Sequence, residues 1–105
     1  MNPFEFDPKI QHHFAAGLYA RQMHLPQGKC ALSHKHKYAH FSILASGNCI
    51  VKTDDSETEY HAPACVMIEK DKNHSIFAKS DVVWFCIHAA DVAEVDDIDS
   101  VLIGA

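Results

Sequence analysis

The chain has 105 residues, 48% of them hydrophobic and 22% charged, which suits one soluble globular domain with a single modest core. Its formal charge is −5, but Asp91, Glu94, Asp96, Asp97 and Asp99 crowd the last fifteen residues, so the first ninety carry nine cations against nine anions. That balance excludes a basic field for nucleic acid or an anionic membrane, and no apolar run approaches a membrane span of about eighteen residues.

The opening MNPFEFDPK has neither the basic start nor the apolar stretch of a secretory leader, so a cytoplasmic protein is expected. Cys30, Cys49, Cys65 and Cys86 form no C-x-x-C pair, which argues against a zinc ribbon and for free thiols in a reducing compartment.

Taken in order, residues 1–16 show no clean period and are read as an irregular N-terminal arm with at most one helical turn. Phe4, Phe6, Ile10 and Phe14 in this arm need burial, on the barrel's outside or on a partner subunit, while His12 and His13 are expected at the surface. GLYARQMHL, 17–25, alternates as a strand, with Met23 or His24 a candidate to face the interior, and Pro26-Gln27-Gly28 closes it. Residues 41–46 and 48–53 form strands on either side of the turn at Gly47-Asn48. The polar cluster 53–57 is a loop, 58–62 a strand ended by Pro63, and 65–68 a short strand apolar on both faces. After the turn at Lys70-Asp71-Lys72-Asn73, strands follow over 74–79 and 82–88. In the last of these Val83, Phe85 and Ile87 share one face and Trp84, Cys86 and His88 the other, which predicts a strand sandwiched between two layers. Trp84 and Cys86 are expected in the core, with Cys86 and His88 as candidate cavity contacts and His61 and His88 near strand ends. Seven or eight short strands with almost no helical pattern predict a small antiparallel sandwich or barrel. Residues 17–90 are assigned to the barrel and 91–105 to an acidic tail.

The segment GKCALSHKHKYAHFSILASG, 28–47, carries the chemistry. On a strand, residues two apart share a face, so Cys30, Leu32, His34 and His36 are expected inward and Lys29, Ser33, Lys35 and Lys37 outward. Two inward imidazoles at that spacing, joined by His40 beyond a turn, suit one metal ion. The plainer reading is a set of hydrogen-bonded core histidines.

The spacing Gly28, His34, His36, His40, Gly47 resembles the first motif of the cupins at every interval, with His40 where most cupins have glutamate. Their second motif is represented mainly by His74, since Glu69 and Asp71 occupy the places of its proline and glycine and Ala78 that of its asparagine. The resemblance implies an all-β double-sheet jelly roll, an antiparallel double-stranded β-helix. It also implies that His34, His36, His40 and His74 bind a divalent transition metal, iron first, then nickel or zinc. The implied function is a metal-dependent dioxygenase acting on a small organic molecule. The alternative is a non-catalytic metal- or ligand-binding module, and sugar isomerisation is weaker because no proton shuttle stands out. A homodimer is expected, because the Phe-rich arm and the last strand offer more apolar surface than one small barrel hides.

Overall fold

Short runs of alternating side chains, punctuated by Gly, Pro, Asn and Asp, leave the backbone little choice but extended strands and tight turns. The computed structural model describes residues 2–33 and 38–89, and among them it has nine strands and no helix. They are β1 (Gln11–Ala15), β2 (Leu18–Leu25), β3 (Cys30–Ser33), β4 (His40–Ser46), β5 (Asn48–Lys52), β6 (Glu57–His61), β7 (Ala64–Ile68), β8 (His74–Ala78) and β9 (Val82–Ala89). One sheet has the order β1-β2-β9-β4-β7 and the other β3-β8-β5-β6. All pairings are antiparallel, giving the two-sheet jelly roll expected from the sequence.

Residues directly opposite on paired strands share a face, so the inner surface of the five-stranded sheet is built in rows. One row runs Met23, Trp84, Leu44, Ala64, and the next Arg21, Cys86, Ser42, Val66. A third places Tyr19 opposite His88 and His40 opposite Ile68, with the His40 and His88 rings side by side. The interior is therefore graded. Leu25, Leu44, Val82 and Trp84, each at most 2% exposed, pack one end with Cys49 and Ala78, while polar side chains gather at the other. Each fully buried large apolar side chain contributes about 1.5–3 kcal/mol, so the first end anchors the fold.

Three expectations need correction. The arm is not wholly irregular, because Gln11–Ala15 adds to the sheet as β1, each residue pairing from Gln11 with Gln22 to Ala15 with Leu18. Of its phenylalanines Phe6 packs against the core, whereas Phe4 and Phe14 stay about half exposed. In β3 the inward residue is Ala31, opposite the buried Ile76, and Leu32 is 66% exposed, so the face proposed for Cys30 and Leu32 is reversed. The partner strand set that phase, not the lysines. Finally, β9 is not sandwiched on both sides: Trp84 and His88 are buried, but Val83, Phe85 and Ile87 lie half-buried on the outer face.

Turns hold the two sheets in register. Lys29 donates from its backbone N–H to the carbonyl of Pro26, and Gly28 takes the left-handed conformation (φ +84°) this turn demands. Gly47 (φ +89°) crosses from one sheet to the other so close to the Asp81 carbonyl that a Cβ would collide with it.

Candidate functional site

At the polar end the facing sheets line a partly open cavity of about 140 Å³. Arg21, His40, Ser42, His74, Cys86 and His88 supply its polar lining. Met23, Ile68, Ile76 and Trp84 supply apolar wall. No aspartate or glutamate lines it among the described residues.

His40 and His74 are the first residues of β4 and β8, so they enter this cavity from opposite sheets, and both are buried. Burial holds the His74 imidazole below its usual pKa, with a hydrogen bond to the Lys72 backbone acting more weakly in the opposite sense. A neutral imidazole is the form that coordinates a metal. The other two residues of the proposed ligand set, His34 and His36, lie outside the described residues. Among those described, no three His, Cys, Asp or Glu side chains cluster as a metal site.

His88, expected near a strand end and as a candidate cavity contact, is the penultimate residue of β9, buried at 4% exposure and part of the cavity lining. Its ring lies 4.2 Å from that of His40, centroid to centroid, stacks on Tyr19 at 6.1 Å and meets Tyr38 edge-on at 6.0 Å. Tyr19 is wholly buried, and its hydroxyl shares a 2.7 Å hydrogen bond with Nδ1 of His12. An unbroken series of rings thus leads from the exposed β1 into the cavity. Beside it the Ser42 hydroxyl donates to Sγ of Cys86 at 3.7 Å, and burial pushes the Cys86 thiol pKa up, keeping it protonated.

Arg21 escaped the sequence analysis. The signal was present, because Tyr19, Arg21, Met23 and Leu25 alternate along β2, but nothing local told which face of that strand turns inward. Met23 does line the cavity, whereas His24 is in contact with Gln22.

A family described as "Cupin domain" matches residues 21–88, a stretch that includes every polar residue of the cavity lining. Among solved structures, a cupin 2 domain-containing protein from Halorhodospira halophila superposes with a TM-score of 0.71 at 20% identity, over 92% of this chain and 77% of that one. The cupin 2 domain of an XRE family transcriptional regulator from Enterobacter cloacae gives 0.64 at 17% identity, over 74% and 90%. The plu4264 protein of Photorhabdus luminescens gives 0.63 at 16% identity over 69% of this chain, which spans 62% of that protein. At these identities the likeness is one of fold. No curated protein matches the sequence significantly.

Proposed function

The chain belongs to the cupin-domain family, and for a member with this interior we propose a metal-binding protein that acts as a dioxygenase-type enzyme on a small organic molecule. The ligands are His34, His36, His40 and His74, and the ion is a divalent transition metal, iron first, with nickel or zinc as substitutes. The observation that carries the reading is the delivery of His40 and His74 from opposite sheets into one cavity. Their chemistry fits: imidazole suits iron, nickel and zinc, and burial favours the neutral form of His74. A bound ion would supply Lewis-acid polarisation and one-electron chemistry at that wall. The chain's own residues then hold and shield a substrate. Trp84, Met23 and Ile76 exclude water from its apolar part, and Ser42 presents a hydroxyl.

Metal titration of chelator-treated protein, followed by the fluorescence of its single tryptophan, Trp84, tests the ligand set. His40→Ala and His74→Ala should each weaken binding about a hundredfold, at the upper end of what even the partners of ligands cost. Affinity should also fall as pH drops below ~6.5, where imidazole protonates. Unchanged binding at pH 4 would exclude histidine ligation. Oxygen uptake by iron-loaded protein with diketones, thiols and phenols tests the activity.

A second reading, a non-catalytic metal- or ligand-binding module, is favoured by the departures at Glu69, Asp71 and Ala78, which leave His74 as the main representative of the second cupin motif. Tight metal binding without oxygen uptake would select it. We also propose a cytoplasmic homodimer joined through the outer face of the five-stranded sheet. There Phe41 and Met67 pair directly while 53% and 58% exposed, beside the half-buried Ile43 and Ile87.

A further inference from the structure

Arginine keeps its charge at any physiological pH, so a guanidinium facing a cavity needs an anion or water to complete its hydrogen bonds. Arg21 is the only arginine in the chain, and it lines the cavity from β2. Its Nε is buried and has no hydrogen-bond partner among the described residues. The ion pairs found there belong to Lys52, His61, Lys72 and Lys79, whose partners are Asp55, Glu57, Glu59 and Glu69, and none includes Arg21. Its row neighbour Cys86 offers no counter-charge, because burial keeps that thiol protonated.

We infer that the cavity binds a small monocarboxylate, with Arg21 gripping the carboxylate and the rest of the molecule running toward His40 and His88. The planar fork of a guanidinium matches the two oxygens of a carboxylate, which a lysine would meet only as a point charge. Size narrows the class. A cavity of about 150 Å³ takes benzene, so one of 140 Å³ accepts about six non-hydrogen atoms. The Arg21 row and the histidine row are two residues apart along each strand, or about 7 Å. A three- or four-carbon acid extends along that interval, with Ile68, opposite His40, and Ile76 as its apolar wall. This assignment names the substrate class of the proposed metal site and rests on that reading for its chemistry, but not for the binding itself.

The test uses chelator-treated, metal-free protein titrated calorimetrically with butyrate, its neutral isostere butanamide, and inorganic phosphate. Butyrate should bind saturably, with butanamide and phosphate each at least tenfold weaker. Arg21→Met should abolish butyrate binding and Arg21→Lys weaken it about tenfold, while both variants keep the wild-type circular dichroism and zinc affinity. No butyrate binding by the wild type, equal binding of acid and amide, equal binding of phosphate, or undiminished binding by a folded Arg21→Met protein would each overturn the inference. Failure of the wild type to bind zinc, with butyrate binding intact, would remove the metal site and leave the carboxylate site standing.

Discussion

The thiol of Cys49 is wholly buried on β5, and desolvation, helped by the negative charge of Glu59, pushes its pKa from the ordinary value of 9 up to about 11. Cys65, on the outer face of β7, is exposed. Only the thiolate is nucleophilic, so iodoacetamide at pH 8 should modify Cys65 in the native protein and leave Cys49 untouched until urea unfolds the chain. Peptide mapping by mass spectrometry reads the result, and equal labelling would contradict the burial. The sign of the stability effect follows from the raised value. The contribution of Cys49 is fully present below pH 9 and is lost as pH rises toward 11, because the unfolded thiol ionises first. The urea midpoint should therefore fall across that interval, and less so in Cys49→Ala. At this scale the cysteines were read as free thiols from the expected reducing compartment, their spacing speaking only against a zinc ribbon, and all four are free in the structure. Their sorting into exposed and buried was not, because Cys49 and Cys65 look alike until β5 and β7 have partners.

Among the elements, the crossing between sheets at Gly47 makes the sharpest demand on sequence. Gly17 and Gly47 both adopt positive φ, but a Cβ on Gly17 meets nothing within 4 Å, whereas on Gly47 it would strike the Asp81 carbonyl. Gly17→Ala should thus cost about 1 kcal/mol, and Gly47→Ala about 2 kcal/mol or more, lowering the melting temperature by roughly 8–16 °C. Thermal unfolding of the two variants separates conformational strain from steric conflict, and equal losses would show that the contact with Asp81 relaxes freely. This turn was readable in advance because Gly-Asn between two alternating runs is a local signal. The inward face of β3 was not readable, because Ala31 and Leu32 are both apolar and only pairing with Ile76 and Ser75 chooses between them.

For the whole molecule, the outer face of the five-stranded sheet leaves Phe41 and Met67 exposed side by side. Contiguous apolar surface of this kind suits the proposed dimer. Light scattering at micromolar concentration should give twice the chain mass, and Phe41→Asp should give a monomer with an unchanged far-ultraviolet spectrum; a monomeric wild type would refute the dimer. The β periodicity and the turn residues were fixed locally, so a small antiparallel all-β sandwich or barrel could be read from the chain, while the jelly roll and the candidate ligands His34, His36, His40 and His74 were what the cupin resemblance implied. Only the tertiary structure set His88 beside His40, brought Arg21 into the same cavity and made one end of the interior polar. Which residues share a cavity depends on pairings such as Tyr19 with His88 and Arg21 with Cys86, between strands far apart in sequence. A strand's own side-chain pattern has two faces, and the partner strands decide which one becomes the inside.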